Sequence, residues 1–277
     1  MIKTEALRRR ERRQALLTVV FTIISVIYLM PVLLVLINSL KANAFVNTET
    51  FKLPTAESFV GLKNYVKGMT FGNFAFYKVV FYSFFITITS TALILLCTSM
   101  AAWYISRVGS LVSKIVYYLC VFSMVVPFQM VMYTLARTAD RVHLNTPWTI
   151  PVVYLGFGAG LAVFMFTGFV KSLPLEIEEA AAIDGCGPVK ILYKIICPML
   201  SPSLVACALF QFMWTNNDFQ GPLIYIADMD KYTNSVYLRM SMDGDVGFQW
   251  NRILAMSLIS IIPSLVVFFC AQDSFID

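Results

Sequence analysis

Charge is what this sequence has least of: Asp, Glu, Lys and Arg make up 13% of its 277 residues. An ordinary soluble domain carries roughly 25%. So few ionised groups do not cover the surface of a water-soluble body of this size, which excludes an ordinary soluble globular protein. Histidine is scarcer still, with His143 alone. A histidine metal centre or a Ser-His-Asp triad therefore lacks local partners. The six cysteines, Cys97, Cys120, Cys186, Cys197, Cys207 and Cys270, contain no C-x-x-C pair. That spacing excludes a zinc site or a disulfide framework and leaves inert thiols. No Gly-x-x-x-x-Gly-Lys-Ser/Thr occurs, so the chain has no phosphate-cradling loop of its own.

Apolar residues, by contrast, reach 58%, and mean hydropathy is +0.74. This excess rules out disorder and points to the bilayer as solvent. One crossing takes about 20 residues, which leaves room for roughly five to seven spans and for no second large soluble domain.

Residues 1–14 form a basic tail, with Lys3, Arg8, Arg9, Arg10, Arg12 and Arg13 against Glu5 and Glu11. The apolar run at 15–37 exceeds the roughly 7–15 residues of a signal-peptide core. It reads as span 1 even though Ala42-x-Ala44, a cleavage-like pattern, follows it. The positive-inside rule keeps the tail in the cytoplasm. Further spans are predicted over about 76–105, 115–135, 149–170, 200–226 and 253–271. Parity then puts 38–75, 136–148 and 227–251 outside, and 106–114, 171–199 and the C-terminus inside. Residues 15–277 form a single transmembrane domain, an all-α membrane protein with six transmembrane helices rather than a barrel. Gly156 and Gly160, four apart on span 4, suit close helix packing.

Residues 171–202 read KSLPLEIEEAAAIDGCGPVKILYKIICPMLSP. The pattern predicts two short helices around a glycine corner. Pro174 suits a first turn, and Glu176, Glu178 and Glu179 favour the positive N-terminal end. Ala180, Ala181 and Ala182 are strong helix formers that let another surface approach closely. Asp184-Gly185 ends the first helix, with Gly185 free to take φ > 0. Pro188 starts the second, Ile191, Leu192, Ile195 and Ile196 give it an apolar stripe, and Pro198 stops it. Two readings follow: an amphipathic pair lying on the membrane, or a docking knob offering acidic and small residues to a soluble partner.

The segment resembles the EAA loop of permease subunits in binding-protein-dependent ABC importers. That pattern is met by Glu179-Ala180-Ala181, Gly185 after three residues, Ile195 after nine more, and Pro198. The longer string from Glu178 through Asp184 to Gly185 is similar to the carbohydrate branch, specifically the maltose-type second permease. Cys186 and Cys197 depart from it, where Ala and Leu are usual. Ala101-Ala102-Trp103-Tyr104 with Arg107, Met124 with Pro127, and Asn217-Asp218-Phe219 with Pro222-Leu223 resemble further signatures of that branch. Asn216 stands where Trp is common, and Trp214 sits two residues earlier. Members usually continue past Gln272 with a glycine-containing tail, and this sequence stops at Asp277.

The resemblance implies a type I ABC importer permease fold and no covalent chemistry on this chain. Residues 174–196 would lodge in a cleft of a cytoplasmic ATPase, with Glu178, Glu179, Ala180, Ala181, Asp184, Gly185, Ile195 and Pro198 carrying the coupling. Glu179 would meet a basic residue there. ATP-driven closure would pull the loop and rotate spans 3 to 5 between two states. ATP and magnesium would sit on the partner ATPase, with no cofactor or metal on this chain. The implied partners are a second homologous permease, two nucleotide-binding subunits, an extracytoplasmic solute-binding protein, membrane lipid and a sugar, with no nucleic acid. The implied location is a bacterial cell membrane.

Polar groups within spans are costly and usually face a cavity or a partner. Gln129, Gln211, Asn216, Asn217 and Asp218 are therefore pathway candidates, with Trp214 and Tyr133 as stacking surfaces for sugar. The alternative for Asn217 and Asp218 is to cap span 5 or bind a neighbouring helix. A permease of the same superfamily for a polyol or glycerol-phosphate-type solute is the nearest competing function. An ion-coupled secondary transporter would favour mid-span charge and inverted repeats, and an intramembrane enzyme a clustered His, Asp or Ser site.

Overall fold

Apolar runs punctuated by proline and glycine set the helices of this chain. The computed structural model describes residues 2–71, 74–226, 231–242 and 248–272. Parts of the loop expected over 227–251, and the terminus beyond Gln272, lie outside the described residues. The helices are α1 (Ile2–Ser39), α2 (Asn43–Thr48), α3 (Lys63–Gly68), α4 (Phe76–Arg107), α5 (Leu111–Ser123), α6 (Phe128–Arg141) and α7 (Ile150–Ser172). They continue with α8 (Leu175–Ile183), α9 (Pro188–Ile191), a π-helical turn at Leu192–Ile196, α10 (Cys197–Met199), α11 (Ser201–Asn217), α12 (Gln220–Tyr225), α13 (Asn234–Met242) and α14 (Trp250–Ala271). Two strands of two residues each, Thr70–Phe71 and Phe74–Ala75, are the exceptions among the described residues.

The chain divides into two bodies. The first is Met1–Thr70 with Ser241–Ile259. Here α1 is bare from residue 10 to residue 33. From Ala15 onward the helix is apolar on all sides, and a helix of that kind with no cover among the described residues belongs in lipid or against another membrane helix. After it the chain winds around Lys41, which is fully buried. Its ammonium donates to Asn38 Oδ1 at 3.1 Å and to the carbonyls of Glu49 and Lys52 at 2.7 Å each. All three protons are thus used, as a buried cation requires. Burial pulls the Lys41 ammonium below the usual lysine range, against the opposing pull of the Glu49 charge. Asn64 Nδ2 donates to the carbonyls of Ser39 and Lys41 at 2.7 Å each, and Asn251 Nδ2 donates to Asn64 Oδ1 at 2.7 Å.

The second body is Phe71–Met240 with Ser260–Asp277. Its central post is α7, along which three apolar layers are stacked. Ile86 of α4 packs with Ile150, Val153 and Tyr154 at one end. Ile94 and Ala102 pack with Ala162, Phe166 and Cys207 in the middle. Val170 packs with Ala181, Ile191, Leu192, Ile196 and Leu200 at the other end. The order of these pairs makes α4 parallel to α7 and α11 antiparallel to it. The turn after α4 and the segment 171–199 therefore lie at the same end.

Four described helical stretches are long and apolar enough to cross a bilayer: Arg10–Ser39, Phe76–Arg107, Ile150–Ser172 and Trp250–Cys270. Two bent pairs bring the number to six if each is one crossing. The bends depart from the expected straight spans. The stretch expected at 115–135 breaks into α5 and α6 at an angle of 110°. Pro127 supplies no N–H and disfavours helix in the residue before it. The stretch expected to begin at 200 meets the preceding helix at 82°, between Pro198 and Pro202. The helix does not stop at Pro198 as the sequence suggested. It runs through to Met199 by way of the wider π turn, a common accommodation of a disrupted helical ladder. The stretch expected to reach 226 ends at Asn217, with α12 as a separate turn.

The packing glycines are also not the expected pair. A Cβ on Gly156 would meet nothing within 4 Å, whereas one on Gly160 would lie 2.7 Å from the Cys120 carbonyl oxygen. Gly158, which the spacing argument passed over, would put a Cβ 2.5 Å from Ile94. Close approach to α5 thus depends on Gly160, and close approach to α4 on Gly158.

Candidate functional site

The EAA-like segment forms the two short helices around a glycine corner that its sequence pattern predicts, held by two local devices. Pro174 stands at the N-cap of α8, with Glu176 and Glu178 in the first turn. At the other end Gly185 adopts φ +80°. Its N–H donates to the Ala182 carbonyl, and the Cys186 N–H donates to the Ala181 carbonyl, each at 3.0 Å. These two bonds close a Schellman turn, in which Cys186 also packs near Ala181.

The turn divides the candidate residues by face. Glu179, Ala180, Asp184 and Gly185 are exposed, and Pro198 is exposed further along. Ile195 is half-buried. Glu178 and Ala181, three apart, face inward and are buried. Glu178 therefore does not belong to the outward surface on which the resemblance placed it. Its Oε1 accepts from Arg107 Nε at 2.7 Å and Nη2 at 2.6 Å, and its Oε2 accepts from Trp103 Nε1 at 2.9 Å. Arg107 Nη2 also donates to the Leu173 carbonyl at 3.2 Å. The last turn of α4 thus grips both the entry to the segment and its first helix.

Among the exposed residues of α8 and its C-cap, Glu176, Glu179, Ala180, Ile183 and Asp184 share the i, i+3, i+4, i+7, i+8 spacing of a single helix face, with Leu175 and Ala182 exposed beside it. It is acidic, small at Ala180 and apolar at Ile183, which is 86% exposed. The sequence argument passed over Ile183, although a large apolar residue four positions after Glu179 was a readable signal.

At the opposite end of α7 a second polar cluster gathers some of the pathway candidates. Asp218 Oδ1 accepts the backbone N–H groups of Gln220 and Gly221 at 3.0 and 3.2 Å, capping α12. Its Oδ2 accepts from the Tyr154 hydroxyl at 2.8 Å. Trp214 stands edge-on to Tyr154 with centroids 5.6 Å apart. A Cβ on Gly221 would lie 2.5 Å from Asp218 Oδ2, so glycine is what lets the carboxylate sit there. Asn216 is buried and donates to Ser264 Oγ at 3.3 Å and to Asn217 Oδ1 at 3.4 Å. Gln211, one helical layer away, is buried and donates to the Gly158 carbonyl at 3.1 Å. For Asp218 the contacts fit the alternative of bonding a neighbouring helix, with its cap placed on α12 rather than on span 5, whereas Asn216, read from sequence as a pathway candidate alone, is bonded to a second helix. Gln129 is exposed on α6 and donates to Gln220 Oε1 at 3.2 Å. Asn217 and Trp214 are exposed as well. Tyr154 and Gln220 were not singled out from sequence: a Tyr in an apolar run carries no spacing signal, whereas Gln220, inside the predicted span 200–226, carried the same polar signal as Gln211.

A family model described as the binding-protein-dependent transport system inner membrane component matches residues 94–273. The chain is 30% identical to a probable starch degradation products transport system permease protein of Thermoanaerobacterium thermosulfurigenes, over 96% of this chain and 95% of that one. It is 25% identical to an arabinooligosaccharides transport system permease protein of Bacillus subtilis, over 94% and 92% of the two chains. Among solved structures, a chain from a bacterial ABC transporter involved in the import of the acidic polysaccharide alginate has the same fold. The TM-score is 0.79 at 20% identity, with 93% of this chain and 94% of that one covered. The family model and these relatives agree with the helical fold: the chain belongs to the family of binding-protein-dependent transport system inner membrane components.

Proposed function

We propose that this permease is half of the membrane channel of an ATP-driven importer for a sugar or oligosaccharide. The observation that carries the coupling is the outward acidic stripe of α8, set beside a glycine corner and bonded to nothing at Glu179 among the described residues. A partner ATPase with a basic cleft would dock there, since charge complementarity fixes register and partner. Hydrolysis would take place on that subunit, which would supply ATP-binding loops that this chain lacks. The bare helix α1 would lie against lipid and a second permease, and the basic tail before it would place the N-terminus in the cytoplasm. A solute-binding protein would deliver sugar at the other end of the bundle. The exposed Gln129, Trp214 and Asn217 are the groups best suited to meet the solute, by hydrogen bonding and stacking. The saccharide reading is supported by the relatives, which include permease proteins of transport systems for starch degradation products and arabinooligosaccharides.

The test is purification of the tagged chain in mild detergent, followed by reconstitution in vesicles. An ATPase subunit is expected to co-purify, and vesicles containing ATP and supplied with the cognate binding protein are expected to take up radiolabelled maltodextrin or arabinooligosaccharide. Glu179→Lys is expected to remove the ATPase from the preparation while leaving the chain in the membrane. Co-purification of no ATPase would refute the reading.

A further inference from the structure

We propose that Arg107 and Trp103 are positioning residues that lock the coupling segment to α4, so that α4 and the knob move as one body when the ATPase moves. This rests on the importer reading above and changes which span takes the stroke: the sequence resemblance assigned it to spans 3 to 5. The geometry is a two-point clasp. Arg107 holds Leu173 at the entry to the segment and Glu178 one turn into α8, and Trp103 takes the remaining carboxylate oxygen.

Three features make the clasp fit for transmission. Glu178 is 7% exposed, so opening the clasp would leave a buried carboxylate unpaired, which is far more costly than keeping the pair closed. Two guanidinium nitrogens, Nε and Nη2, converge on Oε1 while Trp103 Nε1 holds Oε2, so both carboxylate oxygens are fixed in place. Beyond the clasp, α4 packs along α7 through Ile86, Ile94 and Ala102, so a displacement at Arg107 enters the bundle along a stiff helix rather than a loop. The link from Lys171 to α5 is weaker, an ammonium 5.6 Å from the Tyr117 ring centre.

The test uses the full chain, purified with its co-isolating subunits into lipid nanodiscs. Spin labels are introduced through unnatural amino acids at Tyr77, near the start of α4, and Val189 on α9. These side chains are 70% and 67% exposed. In the unaltered chain the label separation is expected to stay the same without nucleotide and with Mg-ATP and vanadate. In Arg107→Gln the distribution is expected to broaden without nucleotide and to shift with it, while ATP hydrolysis persists. Trp103→Phe, a milder change, is expected to broaden it less, and the exchange of Arg107→Glu with Glu178→Arg to narrow it again. A shift in the unaltered chain on adding nucleotide would overturn the proposal, and so would an Arg107→Gln chain that matches it in both states. If no ATPase co-isolates, the importer reading fails separately, and the nucleotide-free comparison still decides whether the clasp holds.

Discussion

Gly185→Leu is expected to abolish uptake while the chain still folds and inserts. A Cβ at Gly185 would meet nothing within 4 Å among the described residues. The internal cost at the Cβ is therefore that of the left-handed backbone, about 1–2 kcal/mol for a residue with a Cβ. That is too little to unfold the bundle, but the same Cβ projects into the space a docked subunit would fill. Losing a contact at the centre of an interface costs about 2–4 kcal/mol, or roughly 30- to 1,000-fold in affinity. Three measurements on one preparation separate these effects: membrane insertion, retained ATPase, and uptake. Insertion is expected to be unchanged and the other two lost. Normal uptake by Gly185→Leu would end the assignment of this corner to the coupling surface.

Asp218→Ala is expected to lower stability sharply, and Asp218→Asn to leave both stability and uptake near normal. Alanine removes the cap of α12 and leaves the buried Tyr154 hydroxyl without its acceptor. Lost caps cost about 0.5–2 kcal/mol and orphaned buried polar groups about 1–3 kcal/mol, so the sum is about 1.5–5 kcal/mol. Asparagine keeps an oxygen for the Gln220 and Gly221 N–H groups and turns an NH2 toward the tyrosine oxygen. Thermal unfolding in nanodiscs, run beside uptake, checks this. If Asp218→Asn unfolds normally yet fails to transport, the carboxylate acts on the solute and its reading as a structural tie is wrong.

How far the sequence carried the site depends on how local each cause is. The glycine corner was legible because Asp184-Gly185 closes a helix by backbone rules that need no distant partner. The splitting of Glu178 from Glu179 was not, since neighbours on a helix differ by about 100° and the inward direction is set by Arg107, 71 positions earlier. Trp103 and Arg107, four apart on α4, were visible as a signature without a role until the fold brought Glu178 to them. The bend at Pro127 was signalled by the proline, but a hydropathy average over 115–135 does not register a break. Gly156 and Gly160 show the limit of spacing arguments. They share a helix face, and only one of them has a neighbour close enough to require glycine. Asp218 was readable either way, because a carboxylate two and three residues before free N–H groups is a cap signal and an acid in an apolar run is a pathway signal.

The central claim is that the outward stripe of α8 docks on a separate motor subunit at the cytoplasmic end. Its most direct test is a photo-crosslinking amino acid placed in turn at Ala180, which is exposed, and at Ala181, which is buried, in whole cells. Light is expected to join the probe at 180 to a cytoplasmic nucleotide-binding subunit and the probe at 181 to this chain alone. Capture at 180 of lipid only, or of an extracytoplasmic protein, would contradict the claim.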